Sequence, residues 1–587
     1  MERKGKKEGN RAAASLKPPK VIPKKVINRA IISRMIRDGK VSKRTLDRNS
    51  KEAVRISNDL LMKLLRDNKD TEYGKKYDFA SIHSIEEYQD KVPLCDYDTL
   101  EPYIKRMVAD DEENLLCAEK PVHYALSSGS VGVPKHIPVS AAELEKYKKY
   151  GTNMCFGVVD EYYRNTTGKS FKPGFGADCL ELKFQETEYG VPKGAISGNI
   201  LDQVKDLTKY FLAPPWDVLN PKADMDLKYL RARFVLEQRD VVFLNSAFMT
   251  ALVDLLEYAR ANWERICSDI ACGTIDSNVE IPDEWRKNFE SQLKPNPERA
   301  KELSDAFKEG PENLALRIWP NLQFVASIGT GGFFTYSKKM HVFTGKNIPF
   351  NHLGYAASEG FFATSRHVGD SSFVLIPEGG FYEFIPAKSD DDTIRPLTID
   401  QVEEGELYEL VVTNLSGFYR YRIKDVIRVT GFYNEAPMLE FVYRKSQLLS
   451  IAGEKTNEEA VRWSIEQFMK DADINVIDYS VYADTDDEPG HYTFFIEPER
   501  IIEKEELPEM RDKLEARMMQ ANPSYGEKIR TGVLAPCEFI PVQQQTYQLY
   551  RDLMIMKGVS PNQLKPVRVI DTPIKHKFFN GLREIYE

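Results

Sequence analysis

Between Leu322 and Tyr443 the chain is a succession of short apolar runs broken by glycine and polar residues, the pattern of strands joined by tight turns. Phe373 to Ile376 and Tyr382 to Ile385 flank Glu378-Gly379-Gly380 as in a hairpin, while Tyr408 to Thr413, Arg420 to Thr430 and Met438 to Tyr443 alternate with period two. Sheets of that extent have faces to cover, and the preceding sequence supplies helices. Ile27, Ile31, Ile32, Met35 and Ile36 recur at helical spacing, Val54 to Leu65 continues the pattern, and Ala247 to Ile266 carries Leu252, Leu255, Leu256, Ala259 and Trp263 on one face. The expected class is therefore α/β. At 587 residues the chain exceeds what one core sustains, roughly 250–300 residues, so several structural units are required. No internal repeat points to a solenoid or propeller.

The character changes again after Tyr443. Thr456 and Glu459 have capping-box spacing ahead of a helix to about Asp471, strands flank an acidic turn at Asp484 to Gly490, and a helix over Glu506 to Gln520 precedes a Lys-rich end with Lys557, Lys565, Lys575 and Lys577. These features predict a small mobile α/β domain over 444–587 with a hinge at Arg444-Lys445. It follows a large N-terminal domain over 27–443 and a disordered basic arm over 1–26.

Residues 1–44 hold 15 Lys or Arg against Glu2, Glu8 and Asp38, a balance of +12 that leaves −21 for the remainder. A basic arm on an acidic body can touch nucleic acid or an anionic membrane. The absence of any aromatic residue before Tyr73 removes base stacking and favours a solvated tail leading into a basic helix, so neither partner is expected. The most apolar run, Val241 to Leu256, is broken by Asn245, Ser246 and Asp254, well short of the roughly 20 apolar residues of a membrane span. Seven scattered cysteines form no paired pattern, which fits reduced thiols, a cytoplasmic location and no structural metal.

Three segments carry residue types suited to chemistry. Ser127-Ser128-Gly129-Ser130-Val131-Gly132-Val133-Pro134-Lys135 joins two extended runs, His123 to Leu126 and Lys135 to Val139, ahead of a helix started by a capping box at Ser140 and Glu143 and running to about Tyr150. Its glycines let successive N–H groups face an anion, its hydroxyls add donors, and Lys135 adds charge. It lacks the Walker A spacing, and a flexible surface loop can look the same. Gly354-Tyr355-Ala356-Ala357-Ser358-Glu359-Gly360, preceded by Gly329-Thr330-Gly331-Gly332, places a carboxylate and an aromatic ring among small residues. That suits magnesium bridging phosphates and stacking on a purine, although each piece alone is as readily a turn. In Gly417 to Val426 strand alternation sets Arg420, Arg422 and Lys424 on one face, with Asp425 an acceptor for ribose hydroxyls; a half-exposed charged strand is the plainer alternative. Tyr147, Tyr150, Met154 and Phe156 could line an apolar pocket or pack into the core.

The order and spacing of these segments resemble the adenylate-forming enzymes, and more narrowly the auxin-responsive acyl acid amido synthetase (Gretchen Hagen) family. Trp319 to Leu322, Gly329 to Gly332, Tyr355 to Glu359, Tyr419 to Asp425, Val429 to Tyr433 and Gln563 to Lys565 carry the likeness, which runs from about Asp70 onward. The resemblance implies a large N-terminal adenylate-forming domain of β-sheets flanked by helices, with a small β-barrel-like part, and a small C-terminal α/β domain. It implies an ATP- and Mg2+-dependent ligase, a monomer, that joins a small carboxylic acid to an amino acid. Ser127, Ser128, Gly129, Ser130 and Lys135 would hold phosphates, Gly331, Gly332 and Tyr355 the adenine, Asp425 the ribose and Glu359 the metal. Lys565 would reach the α-phosphate, and Arg444 sits at the hinge. Three positions depart from the family pattern: Val131 removes a hydroxyl donor, Lys424 replaces a glycine beside the ribose acceptor, and the proline of Lys565-Pro566-Val567-Arg568 is displaced by one. An acyl-CoA or other thioester-forming ligase, or a catalytically impaired nucleotide-binding homologue, are the alternatives these features leave open.

Overall fold

A computed structural model describes residues 22–126, 135–180, 182, 184–388, 394–445, 449–559 and 564–586. The helix Lys24–Asn49 begins slightly before the helical periodicity does, so residues 24–26 belong to it and not to an arm. It is anchored at both ends. Asn28 donates to the carbonyls of Gly174 and Tyr210, each at 2.9 Å, and farther along Lys40 meets the buried Asp160 carboxylate at 2.7 Å while Lys43 pairs with Glu161. The basic character of this segment is thus partly spent on acids of the body.

Four short strands, Phe175–Asp178, Val241–Phe248, Phe324–Ile328 and Phe350–Asn351, form a parallel sheet in that order. The long helix Met249–Cys272 continues directly from the second strand, and its Leu252, Leu256 and Ala259 join Trp319, Val325 and Met340 in one core. His123–Leu126 and His136–Val139 pair antiparallel across the Ser/Gly segment and join Pro192–Gly194 and Gln185–Glu186. Residues 127–134, with Ser127, Ser128, Gly129, Ser130 and Val131, lie outside the described residues, as do 1–21.

The strand-rich block folds into a seven-stranded antiparallel sheet running Phe381–Pro386, Leu407–Thr413, Tyr421–Tyr433, Ala436–Arg444, Phe373–Leu375, Gly360–Thr364, Gly354–Ala357. The two runs around Glu378-Gly379-Gly380 therefore do not form the expected hairpin. Pro377–Gly379 makes one 3-10 turn and the chain leaves for the far end of the sheet, where Glu378 accepts from Lys149 at 3.0 Å and from the Tyr150 hydroxyl. In a flat sheet the strands of Phe362 and Tyr382 would stand about 24 Å apart, five spacings of about 4.8 Å, yet their ring centroids are 6.4 Å apart. The sheet curls until its two ends share one core, which gives this part its barrel-like form.

Two capping signals resolve differently from the expected boxes. Ser140 accepts from the Glu143 N–H at 3.1 Å, but the Glu143 carboxylate turns inward to Lys146 at 2.8 Å. That helix continues past Tyr147 through a π-turn, Lys148–Asn153, into Met154–Thr167, and Tyr150, Met154 and Phe156 are core residues. The helix Glu458–Ala472 is capped by Asn457, one residue later than the Thr456 reading, with its side chain accepting from Ala460 at 2.8 Å.

The C-terminal sheet, Glu538–Pro541, His491–Pro498, Val476–Asp484 and Val569–Ile570, packs on Glu458–Ala472 and Leu507–Ala521 around Phe468, Tyr479, Phe494 and Leu514. The C-terminal part meets the N-terminal part through the helix Thr546–Met556, where Asp552 pairs with Lys228 at 2.6 Å and Arg551 with Asp254 at 3.0 Å.

Asp160 supports a stability prediction. Burial alone would push its carboxyl up, but hydrogen bonds from Lys40, Ser170 and Arg164 outweigh burial and hold it down to about 2. Its contribution is present above the unfolded value, about 3.9, and is lost as pH falls toward that folded value. Asp160→Asn is expected to cost about 2–3 kcal/mol at pH 7, the scale of hydrogen bonds to a charged group, and to cost progressively less below pH 4, measured by urea denaturation.

Candidate active site

The site is organised on two paired strands. Antiparallel register sets Asp425 opposite Arg444, and the Arg444 Nε donates to Asp425 Oδ1 at 2.7 Å. The Tyr355 hydroxyl donates to Asp425 Oδ2 at 2.9 Å, from a strand four places away that the curl brings back. Each carboxylate oxygen retains acceptor capacity, because an ionised carboxylate offers about four lone-pair positions. Glu359 lies in the turn between Gly354–Ala357 and Gly360–Thr364, with its main-chain oxygen held by Asn414 Nδ2 at 2.7 Å and its Oε1 accepting from the Tyr421 hydroxyl at 3.3 Å.

The electrostatics follow from this packing. Burial pushes the Glu359 carboxyl up, and the Arg444 guanidinium pulls it back. Asp425 raises Arg444 further, so that guanidinium is a fixed positive charge between two acids. Lys565 comes to the same place from the C-terminal segment. Its ammonium is lowered first by surrounding protein and then by Arg444, while Asp425, Glu458 and Glu359 act in the opposite sense. Lys565 itself is exposed, so its side chain lies at the surface of this cluster and not in the core.

Gly331 takes the left-handed φ of +59°, where a side chain is strained, and a Cβ there would meet only Phe441 at 3.9 Å. Tyr355 is almost wholly enclosed; Phe441 beside it, centroids 6.2 Å apart, is half-buried and leaves more of its ring open next to Gly331. Gly332 has no such room, since a Cβ would come within 2.6 Å of Glu458 Oε1, and its carbonyl accepts from Arg568 Nε at 3.0 Å.

The fold thus brings together Tyr355, Glu359, Asp425, Arg444 and Lys565, with Gly331 and Gly332 alongside. Lys135 is exposed, its ammonium 4.6 Å from the Tyr97 ring centroid, and makes no ion pair with the Glu359 and Asp425 carboxylates. The expected charged strand face is occupied by structural pairs: Arg420 is buried on Glu383 at 2.9 Å and Arg422 lies on Glu409 at 2.8 Å. Lys445 shares Glu409, also at 2.8 Å, so both residues of the expected hinge hold acids of the N-terminal part. Glu458, Arg568 and Phe441 were not legible as site neighbours. Only the Gly-Gly pair hinted that something must approach closely.

Among the described residues no group of three or more His, Cys, Asp or Glu could hold a metal. Magnesium bound to phosphates needs only one or two carboxylates, since it keeps water and phosphate oxygens as its other ligands. Glu359, half-buried and with one long hydrogen bond from Tyr421, fits that donor set.

The architecture is an α/β fold with a large N-terminal part and a smaller C-terminal part. Over 93% of this chain and 96% of the other it superposes on the AtGH3.15 acyl acid amido synthetase with a TM-score of 0.80 at 23% identity. The sequence matches the GH3 family N-terminal domain over residues 42–350, the GH3 family central domain over 373–444 and the GH3 family C-terminal domain over 458–574. The chain belongs to the GH3 family. Its relatives include the probable indole-3-acetic acid-amido synthetase GH3.11 of Oryza sativa subsp. japonica, 27% identical over 91% of this chain and 94% of that one. Another is the jasmonoyl-L-amino acid synthetase GH3.5 of the same subspecies, 27% identical over 89% and 93%.

Lys424 is explained by its backbone. It adopts φ +66°, a left-handed conformation that glycine takes without cost, and its side chain points outward to Asp96 at 3.5 Å, away from the Asp425 carboxylate. Lys424→Gly is expected to stay within about 1 kcal/mol of wild type, relief of strain offsetting added chain entropy, and to leave ATP–pyrophosphate exchange unchanged. A tenfold gain in exchange would show instead that the lysine obstructs the site.

Proposed function

We propose that this chain, a GH3-family ligase joining an acyl acid to an amino acid, works through an acyl-adenylate formed in the cleft between Glu359, Asp425 and Lys565. The observation that supports it is the pairing of Arg444 and Tyr355 on Asp425, with the segment that carries Lys565 and Arg568 seated on Gly332, next to Gly331 and Phe441. ATP is the second substrate. Asp425 accepts the ribose hydroxyls with its remaining lone pairs, and Tyr355 and Arg444 hold the carboxylate in place. The adenine lies against Gly331 and the open part of Phe441. Ser127, Ser128, Gly129, Ser130 and Lys135 serve the phosphates. Glu359 would hold magnesium, which when bound neutralises phosphate charge.

In the first half-reaction an oxygen of the acyl carboxylate attacks the α-phosphorus and the bond to pyrophosphate breaks. Lys565 is placed to offset the charge that gathers on the α-phosphate oxygens. In the second, the amino-acid nitrogen attacks the acyl carbon, the bond to the AMP oxygen breaks, and the amine gives up a proton. The surrounding protein and then Arg444 favour a Lys565 that loses its proton more readily than an ordinary lysine, while Arg444 stays charged. Residues 27–443 carry the nucleotide and acyl sites and residues 444–587 act as the mobile part, in a cytoplasmic monomer.

The test is ATP–pyrophosphate exchange over a panel of acyl acids, followed by mass spectrometry of products formed with an amino-acid mixture. An amide product supports the reading. Discharge only by coenzyme A would make the chain a thioester-forming ligase, and ATP binding without exchange on any acid an impaired homologue. Lys565→Ala should lower exchange about 100- to 1,000-fold, as when one transition-state contact is lost, with discharge of a supplied adenylate largely spared. Asp425→Ala should weaken ATP binding by about 1.5–3 kcal/mol; equal discrimination of ATP from its 2′,3′-dideoxy analogue by mutant and wild type would remove Asp425 from the ribose site.

A further inference from the structure

Arg568 lies three residues beyond Lys565 on a segment without regular secondary structure, and unlike Lys565 it is buried, at 4% exposure. Its guanidinium spans the seam between the two parts of the chain. Toward the N-terminal part, Nε donates to the Gly332 carbonyl at 3.0 Å and Nη2 donates to the same oxygen. Toward the C-terminal sheet, Nη1 donates to the Tyr479 carbonyl at 2.8 Å and pairs with Asp478, and the guanidinium lies 4.2 Å from the Tyr479 ring centroid. Asp478, 1% exposed, accepts in turn from the hydroxyl of Tyr336, on the helix Phe334–Thr344 that starts just after Gly332. The seam is therefore crossed twice by one charged network, once at the Gly332 carbonyl and once at Tyr336.

Such a network adds little net stability compared with an apolar seam, because two charges give up their water, but it accepts very few relative positions. Gly332 leaves room for the Glu458 carboxylate beside it, since a Cβ there would come within 2.6 Å of Glu458 Oε1 and would touch the Arg568 stem at 3.5 Å. A segment held at residue 568 gives Lys565, three residues away, a short and defined reach.

We infer that Arg568 is a positioning residue: by clamping the Gly332 carbonyl to Asp478 it fixes the segment 564–568 so that Lys565 stands beside Arg444, Asp425 and Glu359. The inference rests on the proposed role of Lys565 in adenylation. It makes Gly332 a docking point for the C-terminal segment as well as a wall of the nucleotide cleft.

The experiment is a double-mutant cycle on the full chain with Arg568→Gln and Lys565→Ala. It is read by ATP–pyrophosphate exchange on the panel acid that supports it, with amide hydrogen exchange followed by mass spectrometry as a readout independent of substrate. Arg568→Gln should lower the kcat of exchange about 100-fold, the size of a small misplacement of a reacting group. In the Lys565→Ala background it should cost less than about threefold, because a residue acting through another has nothing left to position. Arg568→Lys should recover part of the loss.

Amides of 330–334 and 564–570 should exchange about tenfold faster in Arg568→Gln, with the strand Val241–Phe248 unchanged. Equal losses in both backgrounds, or unaltered amide exchange at the seam, overturn the inference. Where Lys565→Ala leaves pyrophosphate exchange intact but Arg568→Gln still opens the seam, the catalytic reading of Lys565 fails and the clamp stands. Should Arg568→Gln not fold, Tyr336→Phe removes one hydrogen bond to Asp478 without removing a charge and is read by the same two measurements.

Discussion

The hydrogen bond from Tyr355 to Asp425 depends on the curl of the seven-stranded sheet, and most of the site depends on that curl in turn. A strand four places from Asp425 in hydrogen-bonding order supplies a hydroxyl 2.9 Å from its carboxylate, which no flat sheet could do. The interior that makes the curl stable is aromatic. Phe362, Tyr382, Phe384, Tyr408 and Phe441 fill or border the space between strands from opposite ends of the sheet. Burial of such rings supplies apolar area in bulk, while the two buried ion pairs Arg420 to Glu383 and Lys146 to Glu143 add direction more than stability.

The same division of labour holds at the seam. Phe334 joins the core of the C-terminal part, giving apolar contact across the boundary. Register is set by charges: Arg551 on Asp254, Lys228 on Asp552 and Arg568 between Gly332 and Asp478. Since a half-exposed pair is worth roughly 0–1 kcal/mol and a buried one chiefly penalises misplacement, these contacts suit a boundary that must be accurate without being strong. That combination suits the two half-reactions proposed for this site.

Local features of the sequence told much of the fold correctly. Period-two alternation marked the strands Leu407–Thr413, Tyr421–Tyr433 and Ala436–Arg444 to within a few residues, helical spacing marked Met249–Cys272, and a capping signal marked Glu458–Ala472. Where expectation and structure part, a longer-range contact won. Glu378-Gly379-Gly380 has the composition of a hairpin turn, but Glu378 is bound by Lys149 and Tyr150, and the flanking strands find other neighbours. Glu143 has capping-box spacing, yet its carboxylate turns inward to accept from the Phe361 N–H at 3.3 Å as well as to pair with Lys146.

The sequence by itself determined the elements and the punctuation between the large and small parts, while the family resemblance singled out Tyr355, Glu359, Asp425 and Lys565 as a set. It could do so because backbone periodicity, turn chemistry and motif spacing are written in neighbouring residues. Only the tertiary structure decided that Arg420 and Arg422 are spent on Glu383 and Glu409, that Lys424 turns outward from a left-handed backbone, and that Arg568 reaches Gly332. A charge declares its type in the sequence but not its partner, because the partner is whichever opposite charge the fold brings within about 4 Å, and the curl and the seam that do so are properties of the packed chain.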